Sequence, residues 1–189
     1  MHGFVGFAVK KMRLRWTAPG WVSRVSIGLL LALLAACSRQ QPAEVILDED
    51  TFDILGQIKV YHTAQSPSRL MLFLTTGQRW QQQAPDVAVA MARKGWLVAG
   101  INIDNFYASM QAQRAQCLDA VTLLDVYSQS IQKKYHFANY QRPLLLSYSN
   151  EAGSFVGFTL AQARAGIFSG AISFGFDATF TSAIPPCAP

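Results

Sequence analysis

The chain has 189 residues, and its 16 lysines and arginines outnumber its 11 aspartates and glutamates, which gives a formal charge of +5. Five of the basic residues precede Cys37 and no acidic residue does, so the rest of the chain carries 11 residues of each sign. Nucleic-acid binding needs clustered basic side chains that displace counterions from phosphates, and the scattered, balanced charges after Cys37 exclude it. A hydrophobic content of 51% with 14% charged residues excludes intrinsic disorder and indicates one compact domain.

Residues 1–36 are typical of a bacterial export signal. A basic stretch is followed by the uncharged apolar run 25–36 and then by Cys37. That run has 12 residues, whereas a helix that crosses the hydrocarbon core of a bilayer needs about 20. The five basic residues therefore indicate a destination rather than an anionic partner.

The cleavage region indicates a lipid anchor. The run Leu34-Ala35-Ala36-Cys37 resembles the lipobox of bacterial lipoproteins, in which the cysteine is acylated and becomes the mature N-terminus. Each buried CH₂ contributes about 0.8 kcal/mol, so several acyl chains hold a protein durably at a membrane. Ser38 follows the cysteine where an aspartate would favour the inner membrane, so we expect retention at the periplasmic side of the outer membrane. The alternative is a core cysteine that happens to follow an apolar run.

Residues 37–44 form a short polar tether, and residues 45–189 predict an α/β domain. The predicted strands are 45–47, 54–61, 70–74, 96–103, 144–148 and 168–174. The predicted helices begin at Pro85 and end before Gly95, span about 115–135, and span 152–163. Strands that alternate with helices at this spacing favour a mostly parallel sheet in three layers.

The sequence also predicts several local features of these elements. In the helix after Pro85, residues Val87, Ala90 and Met91 fall on one face, as in an amphipathic helix. The segment after Asp104 is expected to be a loop, and His62 is expected in an exposed loop. The helix over 115–135 is expected to place one stripe on the sheet: Cys117, Val121, Leu124, Ile131 and Tyr135. His136 is expected to end that helix as a cation near its negative end.

The residues after each strand of such a sheet are the candidates for a ligand site. A strand, a sharp turn and a helix around Ser149 match the context of the α/β-hydrolase nucleophile elbow, GxSxG. Here the pattern is Ser147-Tyr148-Ser149-Asn150-Glu151, so the nucleophile position is filled and both glycines are replaced. Glu151 places a long side chain where the elbow has least room. Ser149 is therefore either a nucleophile or simply the N-cap of the following helix.

The partners of a serine nucleophile are harder to find in the sequence. A base must accept the serine proton, and a third group must orient that base. In α/β-hydrolases the histidine follows the serine, whereas His62 and His136 both precede Ser149. Asp177 follows the last predicted strand and is either the acid or a solvated loop residue. No spacing typical of a metal site and no glycine-rich phosphate loop is present, so no cofactor is expected.

Two cysteines remain if Cys37 is acylated. In the oxidising envelope, Cys117 and Cys187 can form a disulfide. Cys117 also fits the apolar stripe of its predicted helix as a small hydrophobic residue. The residues alone leave both alternatives open.

Parts of the chain from Leu70 to Pro189 resemble the AcvB/VirJ family of bacterial virulence proteins, which are exported and α/β-hydrolase-like. The resemblance is closest to the amino-terminal half of AcvB and rests on Leu72–Trp80, Gly100–Ile103, Cys117, Leu146–Ala152, Phe168–Phe176 and Pro186-Cys187. It implies a role in virulence or type IV secretion, with a lipid head group or an envelope protein as partner. For AcvB-like members it implies hydrolysis of lysyl-phosphatidylglycerol.

The departures from the family pattern are concentrated at the site. Gln78 and Arg79 stand in the glycine-rich loop that would form the oxyanion hole with Thr76 and Gly77. Asp177 replaces a cysteine, which the resemblance implies as the partner of Cys187. Family members also continue beyond the position of Pro189 into strands with a histidine, so an incomplete hydrolase domain is expected.

These features lead to two functional hypotheses. The first is a lipid-anchored lipoprotein whose hydrolase-like domain is catalytically incomplete and acts in binding or assembly. The alternative is a serine esterase in which Ser149 attacks the ester of an aminoacyl-phospholipid such as lysyl-phosphatidylglycerol.

Overall fold

A computed structural model of the protein describes residues 43–80, 82–182, 184–185 and 187. The predicted export signal, Cys37 and most of the tether lie outside the described residues, so their assignments stay predictions. In the part that is described, no helix combines the length and the apolar character needed to cross a bilayer.

The described chain alternates strands and helices after an opening hairpin. The strands are β1 (Val45–Phe52), β2 (Gly56–Thr63), β3 (Arg69–Thr75), β4 (Trp96–Asn102), β5 (Leu144–Tyr148) and β6 (Gly170–Phe174). The α-helices are α1 (Gly77–Trp80), α2 (Ala84–Ala92), α3 (Ile103–Ala112), α4 (Ala120–Lys134) and α5 (Asn150–Gln162). A 3₁₀ turn over Asp53–Leu55 joins β1 to β2.

The strands form one mixed sheet in the order β1-β2-β4-β3-β5-β6. The β1–β2 and β2–β4 pairs are antiparallel, whereas β3–β4, β3–β5 and β5–β6 are parallel. The prediction of a mostly parallel sheet is confirmed. Because parallel strands end at the same edge, the residues after β3, β4, β5 and β6 come together there.

β3 lies inside the sheet and is buried on both faces. Leu70, Leu72 and Leu74 pack into the cluster shared with α3, α4 and α5, whereas Met71 and Phe73 pack into the cluster shared with α2. Burial of each such side chain stabilises the fold by about 1.5–3 kcal/mol relative to exposure. The unbroken apolar run that predicted this strand reflects its two covered faces.

Two expectations for the helices were wrong, namely the loop after Asp104 and the start of the helix over 115–135. In α2 the fully buried residues are Ala84, Ala88 and Ala92, and Val87 and Met91 are partly buried against the same cluster. A helix, α3, replaces the loop expected after Asp104. Its N-cap is Asn102, whose side-chain oxygen accepts a hydrogen bond from the Asp104 N–H at 3.0 Å.

α4 begins later than predicted. Its N-cap is Asp119, whose carboxylate accepts the Thr122 N–H at 3.0 Å, so Cys117 precedes the helix instead of lying in its stripe. His136 lies just beyond the helix with a φ of 55°. The predicted positions Leu124 and Ile131 are buried, and both belong to the core on the α5 side of the sheet.

The expectation that His62 lies in an exposed loop was also wrong. His62 belongs to β2, its side chain is 14% exposed, and its Nε2 lies 2.9 Å from Asp48 Oδ2. The Tyr135 hydroxyl donates to the same oxygen at 2.8 Å. These bonds, that of Tyr135 above all, hold the pKa of Asp48 below its usual range, and they fasten the hairpin to the end of α4.

Candidate functional site

A polar cleft of about 760 Å³ opens at the carboxyl ends of the parallel strands. Its lining comes from the loops after β3, β4, β5 and β6, as the topology requires. The residues that line it are Thr76, Gln78, Arg79, Asp104, Tyr148, Ser149, Asn150, Glu151, Phe174 and Gly175. The predicted nucleophile and the predicted oxyanion loop therefore face the same space.

Ser149 occupies the sharp turn between β5 and α5. Its backbone has φ 143° and ψ 165°, a conformation that residues with a side chain rarely adopt. Its N–H continues the sheet by donating to the carbonyl of Phe174 at 3.1 Å. The strand, strained residue and helix reproduce the backbone arrangement of a nucleophile elbow.

Glycine at another position makes room for this elbow. A side chain at Gly175 would lie 3.0 Å from the carbonyl carbon of Ser149 and 2.8 Å from Oδ1 of Asn150, and φ at Gly175 is 99°. Ser147 is buried and its hydroxyl is hydrogen-bonded to that of Ser173. Glu151 is exposed at the cleft, so its side chain avoids the crowding expected from the sequence.

The hydroxyl of Ser149 is engaged as a helix cap. Its Oγ accepts the Ala152 N–H at 3.1 Å, which satisfies one of the free donors at the start of α5. Ser149 is therefore the N-cap that the sequence offered as one alternative, and its backbone has a strained conformation, whereas its role as a nucleophile stays a prediction.

The predicted oxyanion loop is held by an acidic side chain. The Gly77 N–H donates to Asp104 Oδ2 at 2.8 Å, so a carboxylate occupies the place where an oxyanion would bind this amide. The hydroxyl of Thr75, just before the loop, donates to the Tyr148 carbonyl at 2.6 Å and ties the ends of β3 and β5 together. Sequence reasoning did not assign this role to Asp104, although its position after β4 was the available signal.

The proposed acid, Asp177, is fully exposed in the loop after β6. Asp177 Oδ1 accepts hydrogen bonds from the backbone N–H of Thr179 at 2.9 Å and from the Thr179 hydroxyl at 2.8 Å. These two bonds hold the pKa of Asp177 below its usual range. Neither His62 nor His136, the two histidines in the described part of the chain, lines the cleft. β2 and β5 are three strand spacings apart, about 14 Å across the sheet, and His62 also lies at the opposite end of the strands from Ser149 because β2 runs antiparallel to β4.

The charges at the cleft have both signs. Arg79 contributes a cation, and Asp104 and Glu151 contribute anions, all from exposed side chains. In the described segments, no three residues of the types that ligate metals lie close enough to hold an ion. The lining therefore suits a polar ligand that carries separated charges.

Cys117 and Cys187 are joined by a disulfide with a Cα–Cα distance of 4.7 Å. The Cys187 N–H also donates to the Leu118 carbonyl at 3.1 Å, and the Leu118 N–H donates to the Pro185 carbonyl at 2.7 Å. The bond fixes the segment after β6 to the residues before α4. Asp177, the position at which the family resemblance implies a cysteine, takes no part in it.

Comparison of the sequence with protein-family models and with curated proteins gives no match. The fold, however, is similar to that of BioJ, a virulence factor of Francisella, with a TM-score of 0.50 at 10% identity over 79% of this chain and 49% of BioJ. It is also similar to a protein from Klebsiella pneumoniae described as a putative dienelactone hydrolase, with a TM-score of 0.51 at 10% identity over 76% of this chain and 65% of that one. The chain thus spans about half to two thirds of these proteins, and its described domain has the α/β-hydrolase fold.

Proposed function

We propose that the protein is a lipid-anchored envelope lipoprotein of the AcvB/VirJ type whose hydrolase-like domain binds a charged lipid head group without hydrolysing it. The predicted lipobox at Cys37 supports the anchor, and the resemblance in Leu146–Ala152 and Phe168–Phe176 supports the family. The structural similarity to BioJ, a virulence factor, supports a role in virulence.

The observation that carries the proposal is that the groups needed for hydrolysis already have other partners. Ser149 Oγ caps α5 by accepting the Ala152 N–H, and the Gly77 N–H is bound to Asp104. Formation of a tetrahedral oxyanion beside the Asp104 carboxylate would bring two negative charges together. The same cleft is open and polar, so it can bind a head group without these groups changing partners.

The cleft charges indicate the class of head group. The Arg79 guanidinium can bind a phosphate through paired N–H groups, whereas Asp104 and Glu151 suit an ammonium group. A phospholipid head group that carries an amino acid has both charges. The short tether predicted between Cys37 and Val45 extends to about 29 Å at most, so the domain remains close to lipid.

Replacement of Arg79 by glutamine is expected to weaken head-group binding tenfold or more, because a charge-assisted hydrogen bond contributes about 1.5–3 kcal/mol. The measurement is calorimetric titration of the full chain in neutral detergent with glycerophosphoglycerol and with its lysyl ester. Arg93→Gln is the matched control, since Arg93 is exposed just beyond α2 and does not line the cleft. Equal affinities for the two variants, or no binding of either compound, would contradict the proposal.

A serine esterase is the second candidate, and the strained backbone of Ser149 favours it. Strain of this kind is concentrated at functional sites, where it presents a side chain to substrate. The reaction would need a base from outside the described residues and displacement of Asp104 from Gly77. An aminoacyl-phospholipid ester such as lysyl-phosphatidylglycerol fits the cleft charges in this case as well.

A fluorophosphonate probe distinguishes the two candidates. We expect no labelling of the purified full chain, because the probe requires an activated serine and a free oxyanion site. Ser149→Ala is the control that identifies any labelled residue. Labelling that is present in the wild-type protein and lost in Ser149→Ala would establish the esterase and overturn a function in binding alone.

A further inference from the structure

A second, smaller pocket adjoins α1. We refer to it as the Lys59 pocket. Its volume is about 170 Å³, and its walls come from β2, α1, the end of β4 and the first turn of α3. Within α1, Gln78 and Arg79 line the cleft, whereas Gly77 and Trp80 line the Lys59 pocket. β2 and β4 are separated from β6 by β3 and β5, so the pocket lies on the hairpin side of the sheet.

One wall of the Lys59 pocket exists because position 100 is a glycine. Gly100 pairs with Lys59 across β2 and β4, and a β-carbon on Gly100 would lie 2.0 Å from Cη2 of Trp80. The indole ring therefore takes the place of a side chain at this point of the sheet. Trp80 is buried and makes edge contacts with Tyr61 and Phe73, so the core holds this wall in place.

Lys59 is half-buried and has no counter-ion in the printed sequence. All 11 acidic residues belong to the described part of the chain, and none of them forms an ion pair with Lys59 or lines its pocket. Glu49 is directly opposite Lys59 on β1, but its carboxylate accepts the Gln57 side-chain N–H at 3.0 Å. Asp104 is bound to the Gly77 N–H and lines the cleft. A partly desolvated ammonium without a partner favours an anion from outside the chain.

Two amide side chains add neutral donors to this pocket. Asn102 Oδ1 accepts the Asp104 N–H at 3.0 Å, which leaves the amino end of the same amide to donate. That amino group lies beside Gly77, because a β-carbon on Gly77 would be 2.9 Å from Asn102 Nδ2. Asn105, in the first turn of α3, is exposed and lines the pocket as well. An ammonium and two amides suit a ligand whose atoms are acceptors.

The size of the pocket and the type of its cation indicate the class of ligand. A water molecule takes up about 30 Å³, so a pocket of about 170 Å³ holds roughly five or six heavy atoms, which suits phosphate better than a carboxylate. Lysine binds phosphate as a point charge, whereas the arginine fork matches planar carboxylates. We propose that the Lys59 pocket is a second binding site, which takes a phosphate group between Lys59, Asn102 and Asn105.

The site is tested by titration of the isotope-labelled full chain, in neutral detergent, with inorganic phosphate. The side-chain amide signals of Asn102 and Asn105 are followed by NMR, which locates the ligand. We expect saturable shifts in wild type and at least about tenfold weaker binding in Lys59→Gln, which removes the charge and keeps the chain length. Lys133→Gln is the matched control, since Lys133 is exposed on α4 and does not line the pocket.

Asn105→Asp gives a second measurement at an exposed residue, where a failure to fold is not expected. It places a carboxylate in the pocket and should also abolish the shift of the Asn102 amide. Unshifted amides in wild type, or wild-type affinity in Lys59→Gln, would overturn the proposal. Acetate that binds as tightly as phosphate would overturn the ligand class.

Two further comparisons identify the source of the phosphate and separate the two sites. Glycerol 3-phosphate that binds at least as tightly as the inorganic ion identifies a phosphate ester, such as a head group, as the ligand, and its exclusion identifies the free ion. Arg79→Gln should weaken head-group binding in the cleft and leave the phosphate-induced shifts of Asn102 and Asn105 unchanged. The Lys59 pocket can therefore be confirmed or rejected whatever the cleft binds.

Discussion

Replacement of Gly153 by alanine is expected to lower the free energy of unfolding by about 2 kcal/mol, although alanine is the better helix former. Gly153 lies in the second turn of α5, and a β-carbon there would lie 2.0 Å from the carbonyl oxygen of Gly175. That oxygen belongs to the backbone and cannot rotate away as a side chain can. The loop after β6 would have to move off the helix.

Other contacts of the loop around Gly175 oppose its displacement from α5. A β-carbon on Gly175 would lie only 3.0 Å from the carbonyl carbon of Ser149. The loop at Gly175 is therefore in close contact both with Gly153 of α5 and with the turn at Ser149. Two residues after Gly175, the carbonyl of Asp177 accepts a hydrogen bond from the Ser154 hydroxyl at 2.7 Å. Displacement of the loop would break this bond and loosen the turn at Ser149.

Gly157 provides the matched control in the same helix. A β-carbon there would meet Cε2 of Phe176 at 2.8 Å, which is the far end of a side chain that is 59% exposed and can rotate. Gly157→Ala is therefore expected to leave stability unchanged or to raise it by up to about 1 kcal/mol. Urea unfolding followed by circular dichroism gives both values. Equal stability of the two variants would show that Gly153 has no such contact.

The sequence predicts the strands better than the helices for a physical reason. β3, β4 and β5 are continuous apolar runs because both faces are covered, and such runs stand out whatever packs on them. The start of α4 depends on the Asp119 cap, a local signal that the predicted bounds missed, and on the disulfide of Cys117 to a residue 70 positions away, which no local pattern contains.

In the candidate site, too, the sequence predicts the local features but not the contacts between residues that are distant in the chain. The position of Ser149 after a strand is a local feature, and the sequence predicts it. The bond from Gly77 to Asp104 joins residues 27 positions apart in different loops, and it exists only because β3 and β4 are neighbours in the sheet. Sequence reasoning identified both loops but had no means to determine that one side chain would occupy the amide of the other.

Removal of the disulfide by the double substitution Cys117→Ala and Cys187→Ala is expected to lower the free energy of unfolding by about 2–4 kcal/mol. The bond closes a loop between residues 70 positions apart, so it restricts the unfolded chain strongly. The change is measured by urea unfolding of wild type and variant at room temperature. Both transitions are fitted with the same dependence of the free energy of unfolding on urea concentration.

The structure also predicts where the effect is concentrated. We refer to the described residues of 175–187 as the strap. Within it, the Phe180 ring stacks on Phe158 with centroids 4.4 Å apart, and Ile184 is buried. The strap ends at the two backbone bonds beside Leu118 and at the disulfide. Hydrogen exchange of the Leu118 and Cys187 amides should accelerate more than that of β3, whose bonds lie within the sheet.

Reduction of the wild-type protein separates loss of the bond from any effect of alanine. Reduced wild type should unfold at the same urea concentration as the double variant, and the variant itself should not respond to reductant. If oxidised and reduced wild type unfold together, the disulfide does not contribute to stability, and the hydrogen bonds and apolar contacts of the strap are sufficient to hold it. Because Gly175 at the start of the strap packs on Ser149, a strap released at Cys187 would still be held at the elbow, so the cleft should retain head-group binding in the double variant.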